Sequence, residues 1–191
     1  MARVSRSDQK YPYHHGDLRR ALLDAAMEAI AKDGPAALSL RDVARHVDVS
    51  HAAPTHHFRN KTGLLTAIAV EGYHRLADEL ERARAVGGLA ELGVAYVLFA
   101  TGNRAYFAVM RATDLLDTRD PEFVAARERT GHQLLRGTAR HPGSADWTVA
   151  LAAWALMHGL ANLFVEGNIQ PEPGSDIEEL TRALTRRLVP R

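Results

Sequence analysis

The sequence predicts an all-α protein, with a three-helix head at the N-terminus, a long fourth helix and a larger helical body. Apolar residues recur at intervals of three and four along most of the 191 residues. No segment shows the strict alternation expected of a strand, and Gly, Pro and Asn/Asp clusters separate stretches of helical length. With 46% hydrophobic residues the chain can bury a sizeable core. The absence of cysteine excludes disulfides, thiol redox sensing and cysteine–zinc sites.

The first helix of the head is predicted to begin with Asp17 as its cap. Its apolar stripe consists of Leu18, Leu22, Ala25, Ala26, Ala29 and Ile30. Gly34-Pro35 stops it, because glycine readily adopts a left-handed conformation and proline cannot continue a helix. This helix should pack behind the next two and hold them in place.

The segment 39–58 predicts two short helices joined by a tight turn. Ser39 is a good N-cap and Asp42, three residues later, completes a capping-box-like pair. Asp48 falls where the chain must turn, and aspartate tolerates the left-handed conformation better than most residues. Ser50 is predicted to cap the second helix, in which Phe58 is the one large apolar anchor. A helix that buries so little of itself is typical of a helix-turn-helix, whose second helix enters the major groove of DNA.

Thr62 is the predicted cap of the long fourth helix, which ends near Val86 at Gly87-Gly88. Five further helices are predicted in the body, over Leu89–Thr101, Arg104–Leu116, Glu122–Arg140, Ala145–Asn168 and Ile177–Val189. The domain organisation expected from these elements is a flexible basic arm over residues 1–13, a helix-turn-helix domain over 14–66 and a larger helical domain over 67–191.

Residues 14–66 resemble the TetR family of transcriptional regulators. The resemblance is carried by the combined spacing of Asp33-Gly34, the segment 39–44, Val49-Ser50, the segment 56–58, Lys61 and Leu64-Leu65. Two positions depart from the family pattern, since Asp48 replaces the usual turn glycine and Thr55 stands where tyrosine is frequent. The run Ala52-Ala53-Pro54 resembles a subfamily with a C-terminal Trp-x-x-x-His-Gly motif, which Trp154, His158 and Gly159 match.

The expected partner is double-stranded DNA, in the form of an inverted-repeat operator. The candidate DNA-binding residues are Ser39, Arg41, Ser50, His51, Ala52, Ala53, Thr55, His56, His57 and Lys61. The two alanines allow close approach to thymine methyls, and His51 and Thr55 can hydrogen-bond base edges. The resemblance implies base reading by His51 and Thr55, and phosphate contact or packing by His56 and His57. Ser39, Arg41 and Lys61 would hold the backbone.

The resemblance also implies a homodimer through the last two long helices. In such a dimer the helix-turn-helix of the second subunit would bind the second half-site of the operator. The helix predicted over Ala145–Asn168 is apolar nearly all the way round and needs cover on more than one side. A cavity for a small, mainly apolar effector is expected in the body. Its candidate lining is Tyr96, Phe99, Phe107, Met110, Phe123, Trp154 and His158, each of which can also be an ordinary core residue.

Charge is distributed unevenly along the chain. Residues 1–61 hold ten Lys and Arg against seven Asp and Glu, a net +3, whereas the remainder carries −2. This bias agrees with nucleic-acid binding by the head without identifying it. No secretory signal is visible and the longest apolar stretch, Val149–Val165, is short for a bilayer, so a cytoplasmic location is expected.

Three functional readings follow. The first is a dimeric repressor that a small effector releases from DNA. The second is a regulator of the same fold that activates transcription or is controlled by a protein partner instead of a small molecule. The third, an enzyme, lacks a nucleophile–base spacing, a phosphate-binding loop or a metal-ligand motif. His51 and His56 are five residues apart, which is poor spacing for sharing a metal on one helical face. No cofactor, metal or catalytic residue is therefore predicted.

Overall fold

The computed structural model describes residues 15–138, 146–170 and 176–187 of the chain, and these residues form helices connected by turns and loops. The helices are α1 (His15–Asp33), α2 (Leu40–His46), α3 (Ala53–Phe58), α4 (Lys61–Val86), α5 (Leu89–Gly102), α6 (Arg104–Arg111), α7 (Pro121–Gly137), α8 (Trp147–Val165) and α9 (Ile177–Arg186). Short 3₁₀ turns lie at Pro35–Ala37 and Thr113–Leu115. The all-α prediction is confirmed. The predicted arm over residues 1–13 lies outside the described residues.

The ends of several helices differ from the predicted ones. α1 begins at His15, so Asp17 lies inside its first turn and is not its cap. α4 is capped by Asn60, whose side chain accepts a hydrogen bond from the Gly63 N–H at 2.8 Å, and Thr62 lies within the helix. The predicted Arg104–Leu116 helix is broken after Arg111 and continues as a 3₁₀ turn. These differences concern the ends of helices, which local sequence pattern places less well than the helices themselves.

A continuous hydrophobic core joins the head to the body. In the head, α1 and α4 contribute Leu22, Leu64 and Leu65, all fully buried. In the body, α4 packs most extensively on α7, and α5 packs between α4, α8 and α9. Because the 26-residue α4 contributes to both parts, a displacement of the body along α4 can reach the head.

Helix α8 lies within the predicted segment Ala145–Asn168 and is shorter than that prediction. With 19 residues and a mean hydropathy of 1.6, it is long and apolar enough to cross a membrane by length and composition alone. The core helix of a soluble protein passes the same test, so this property is weak evidence for a membrane span. Only a third of this segment is buried within the subunit.

Candidate functional site

The helix-turn-helix begins with a capped α2. The Ser39 Oγ accepts a hydrogen bond from the Asp42 N–H at 3.3 Å, as the sequence predicted. The reciprocal half of the capping box does not form, because the Asp42 carboxylate instead pairs with Arg45 at 2.7 Å. Ser39 is therefore a structural cap, and its half-buried side chain contributes to DNA binding only if its hydroxyl hydrogen reaches a phosphate.

The turn between α2 and α3 places Asp48 at φ 57°, in the left-handed region. This confirms the turn predicted at Asp48 and explains why glycine is the easier residue there. The chain then needs a further turn before α3. Ser50 does not cap α3, because the helix begins at Ala53 and no side chain caps it. Instead, the Ser50 carbonyl accepts a hydrogen bond from the Ala53 N–H at 2.9 Å.

Helix α3 has a buried face and an exposed face. Pro54 and Phe58 are buried, and the Arg19 guanidinium of α1 lies 5.3 Å from the centre of the Phe58 ring. The candidate residues Ser50, His51, Ala52, Thr55 and His56 are exposed, whereas Ala53 and His57 are half-buried. The His57 ring contacts the rings of its two neighbours. The structure thus presents the predicted base-reading residues to solvent as one surface, which we call the α3 surface (residues 50–56).

Lys61 and Arg41 flank the α3 surface in the chain. The Lys61 Nζ donates to the Ala36 carbonyl oxygen at 2.6 Å, which links the start of α4 to the turn after α1. An ammonium carries three donors, so this bond leaves two for a phosphate. Arg41 is exposed and forms no ion pair with the residues that the structure describes.

Asp48→Gly is expected to stabilise the protein. A left-handed conformation costs an L-residue roughly 1–2 kcal/mol, and glycine avoids this cost. Part of the gain is offset because glycine increases the conformational entropy of the unfolded chain. We expect a net gain of about 0.5–1 kcal/mol in the free energy of unfolding, measured by urea denaturation. Asp48→Ala serves as the control, since it removes the charge but keeps a Cβ. An equal gain in both variants would assign the effect to charge and not to the backbone.

The body contains a cavity of about 500 Å³. The residues that line it are Tyr73 and Leu76 of α4, Tyr96 of α5, Phe107, Met110 and Arg111 of α6, Thr113 of the following 3₁₀ turn, Arg127, Thr130, Gly131 and Leu134 of α7, and Trp147, Ala150, Leu151, Trp154 and His158 of α8. Its walls are mainly apolar, and its volume lies in the range of small-molecule sites.

Five of the seven predicted cavity residues line this space, and two do not. Phe99 faces a separate groove beside Glu79 and Arg182. Phe123 is fully buried behind Tyr73, with the two ring centres 5.6 Å apart. Both are core residues, because the rotation of α5 and α7 turns them away from the cavity.

The sequence-based prediction did not include either arginine of the cavity, and it also lacked six apolar lining residues, which are Tyr73, Leu76, Leu134, Trp147, Ala150 and Leu151. A signal for part of this set was present. Trp147, Leu151, Trp154 and His158 follow one another at spacings of three and four, which places them on one face of α8. No comparable signal was available for Arg111 and Arg127, which on their own helices look like solvated charges.

Aromatic rings surround His158 inside the cavity. Its Nδ1 lies 2.8 Å from the Tyr96 hydroxyl, and its ring centre lies 5.7 Å from those of Phe107 and Trp154. Burial lowers the pKa of His158, and the positive charge of Arg111 lowers it further, so the imidazole is neutral near neutral pH. Burial also raises the pKa of Tyr96, which keeps its phenol protonated. This pair offers polar contacts without charge.

A polar cluster joins α1 to the wall of the cavity. The Glu71 carboxylate of α4 accepts hydrogen bonds from Arg20 of α1 at 2.9 and 3.0 Å, from Arg75 at 2.6 Å and from the Tyr106 hydroxyl of α6 at 2.7 Å. We call this cluster the Glu71 junction. Burial raises the pKa of Glu71, but the hydrogen bonds from Tyr106, Arg20 and Arg75 outweigh it and hold the pKa below its ordinary value. Phe107, next to Tyr106, lines the cavity.

Large apolar residues are exposed on α8 and α9. Leu163 of α8 and Leu180 of α9 are 41% and 36% exposed. Ala152, Ala155 and Gly159 are exposed on the same side of α8 as Leu163. A Cβ added at Gly159 would meet no atom within 4 Å of this subunit, so packing inside the subunit does not explain the glycine.

A capped α2, a left-handed turn and an exposed α3, carried by a long α4 on a helical body, define a helix-turn-helix protein. Residues 22–68 match the family described as bacterial regulatory proteins, tetR family. Residues 89–188, just over half of the chain, match the tetracyclin repressor-like C-terminal domain. The chain belongs to the TetR family. It is accordingly a DNA-binding transcriptional regulator in fold and class.

Solved structures share this architecture. A protein of unknown function from Rhodococcus sp. RHA1 is 35% identical, with 94% of this chain and 97% of that chain covered and a TM-score of 0.78. NalD, the secondary repressor of the MexAB-OprM multidrug efflux pump in Pseudomonas aeruginosa, is 21% identical over 91% of this chain and 97% of its own, with a TM-score of 0.64. The multidrug binding protein EbrR complexed with proflavin is 21% identical over 90% and 99%, with a TM-score of 0.57. Curated protein sequences give no match.

Proposed function

We propose that this protein is a dimeric, cytoplasmic repressor that binds an inverted-repeat operator and is released by a small, mainly apolar effector. The observation that carries the proposal is the connection between the cavity and the head. Phe107 and Met110 form part of the cavity wall, and Tyr106 of the same helix reaches Arg20 of α1 through Glu71. A ligand that shifts α6 would therefore shift the head.

Release would follow from a difference in affinity. In one conformation of the dimer the two heads match the spacing of the half-sites, and in the other they do not. An effector that binds the second conformation more tightly than the first lowers operator affinity to the extent of that difference in effector affinity. NalD is a repressor and EbrR binds proflavin, so the fold is compatible with both halves of the proposal. The assignment to the Trp-x-x-x-His-Gly subfamily stays a prediction, although Trp154 and His158 do face the cavity.

The proposed dimer uses the exposed faces of α8 and α9. The small residues Ala152, Ala155 and Gly159 allow a partner helix to approach closely, and Leu163 and Leu180 would supply apolar area. A two-fold dimer presents two α3 surfaces to two half-sites. Light scattering after size exclusion tests this directly, because a monomeric mass at operator-binding concentrations would contradict it.

The operator is found by selecting tight binders from random duplex DNA with the full-length protein. We expect an inverted repeat whose half-sites are about one helical turn apart, bound by two subunits. If the selection enriches no sequence and the protein binds every duplex weakly and equally, the proposal of a sequence-specific regulator is wrong.

Lys61→Ala is expected to weaken binding to the same extent on operator and scrambled DNA. If Lys61 neutralises a phosphate, the salt slope of the binding constant falls by about 1. The measurement is fluorescence anisotropy over a series of salt concentrations, and Arg136→Ala, an exposed charge on α7 in the body, is the matched control. A slope equal to that of the native protein would limit Lys61 to its bond with Ala36.

A further inference from the structure

The charge of the cavity indicates which apolar molecules it accepts. Arg111 and Arg127 are among its lining residues, and no aspartate or glutamate of the described ranges lines it. His158 is neutral near neutral pH, and burial raises the pKa values of both Tyr73 and Tyr96, so the phenols are uncharged. The cavity is therefore positively charged as well as apolar.

The two arginines are not equivalent. Arg111 of α6 lies over the Phe107 ring at 5.6 Å and its Nη2 pairs with the Glu166 carboxylate at 3.2 Å, so its charge is already balanced. Arg127 of α7 lies over the Phe123 ring at 5.8 Å, and no carboxylate of the part of the chain that the structure describes lies within ion-pair distance. Residues 123, 124, 130 and 131, which share its helical face, include no acid.

The remaining walls suit a planar ring. Tyr96, Phe107 and Trp154 surround His158 with ring centres 5.7–6.2 Å from the imidazole. Trp147 and Leu151 continue this surface along α8, where they are 64% and 45% exposed. Apolar surface of this size left exposed in a concave site is removed from water when a ligand binds.

We infer that the effector is an aromatic carboxylate, whose ring lies among Tyr96, Phe107 and Trp154 and whose carboxylate pairs with Arg127. A guanidinium forms two parallel hydrogen bonds to a carboxylate, which gives orientation as well as affinity. The inference rests on the proposed function, since it names the chemical class of the effector for that same cavity.

The test compares three probes of one shape and different charge: 4-tert-butylbenzoate, 4-tert-butylbenzyl alcohol and 4-tert-butylbenzylamine. Binding to the full-length protein is measured by isothermal titration calorimetry. Selectively excited tryptophan emission gives a second readout, because Trp147 and Trp154 are the two tryptophans of the chain and both line the cavity. We expect the benzoate to bind about ten-fold more tightly than the alcohol, and the amine to bind most weakly.

Substitutions of Arg127 test whether this residue causes the preference for the benzoate. Arg127→Gln should remove the preference for the benzoate while leaving the affinity for the alcohol nearly unchanged, and Arg127→Lys should retain part of it. Arg136→Gln, on the same helix and outside the cavity, is the matched control. Thermal unfolding of each variant shows whether its fold is intact. The inference is overturned if the alcohol or the amine binds as tightly as the benzoate, if Arg127→Gln keeps the preference, or if no probe binds.

Operator binding measured in parallel separates this inference from the proposed function. If the alcohol alone binds and releases the operator, the protein is ligand-responsive and the anionic class is wrong. If the benzoate binds through Arg127 and leaves operator affinity unchanged, the anionic class stands and ligand-controlled release is wrong.

Discussion

Gly63→Ala is expected to abolish specific operator binding. Gly63 lies in the first turn of α4, directly against the end of α3. A Cβ built at Gly63 would overlap the Phe58 carbonyl oxygen and lie 3.2 Å from the Phe58 carbonyl carbon. Both are backbone atoms, so a side-chain rotation cannot relieve the overlap.

The surroundings of Phe58 make a backbone shift costly. Phe58 is 5% exposed and anchors α3 in the head, beneath Arg19 of α1. Only Arg59 and Asn60 separate α3 from α4, and Arg59 already has φ 65°. To accommodate a methyl group, α3 must move with its exposed surface. We expect a loss of about 1–3 kcal/mol in the free energy of unfolding, as for overpacked cores.

Displacement of α3 should lower operator affinity by about 100-fold or more, because base contacts depend on its position in the groove. Fluorescence anisotropy and urea denaturation measure the two effects. Gly102→Ala is the matched control, since Gly102 is likewise a helical glycine close to a helix terminus and its Cβ would meet no atom within 4 Å. Native operator affinity in Gly63→Ala would show that the α3–α4 connection adjusts without moving the recognition residues.

Glu71→Ala is expected to uncouple the cavity from the head. The substitution leaves Arg20, Arg75 and the Tyr106 hydroxyl without their common acceptor. Because the Glu71 side chain is 24% exposed, water replaces part of the lost bonds, and we expect a cost of about 1–2 kcal/mol. The effector should still bind, but it should release the operator less effectively, because α6 no longer holds α1 through Glu71.

The contribution of Glu71 also depends on pH. Since its pKa is lowered in the folded protein, the stabilisation is present above the unfolded pKa of about 4.3 and is lost as the pH falls through the folded value. The stability difference between native protein and Glu71→Ala should therefore shrink below about pH 4. Glu79→Ala is the control, since Glu79 forms an exposed pair with Arg82 on the same helix. A difference that does not change with pH would assign the effect to packing alone.

Local features of the head could be predicted because they depend on residues close together in the chain. The Ser39 cap, the left-handed Asp48, the end of α1 at Gly34 and the burial of Phe58 follow from the chemistry of short segments. The same reasoning failed at two predicted caps, because α3 begins at Ala53 without a side-chain cap from Ser50, and Asn60 caps α4 in place of Thr62. There the geometry of the preceding turn decided which residue began the helix.

The residues that line the cavity could not all be predicted from the sequence, because their directions depend on how the helices pack. Phe99 and Phe123 are apolar residues on the expected helices, yet they point elsewhere because packing sets the rotation of α5 and α7. Arg111 and Arg127 resemble surface charges until those helices are brought together around one space.

Sequence alone was enough to predict the fold class, the position of the helix-turn-helix and the exposed face of α3, since period, capping and turn chemistry act over a few residues. The side chains that line the cavity, and their connection to the head, depend instead on contacts between residues far apart in the chain. The bond between Glu71 and Arg20 spans 51 positions and that between Tyr96 and His158 spans 62. Such contacts follow from how whole helices pack, and no periodicity within one helix specifies the side chain that meets it from another.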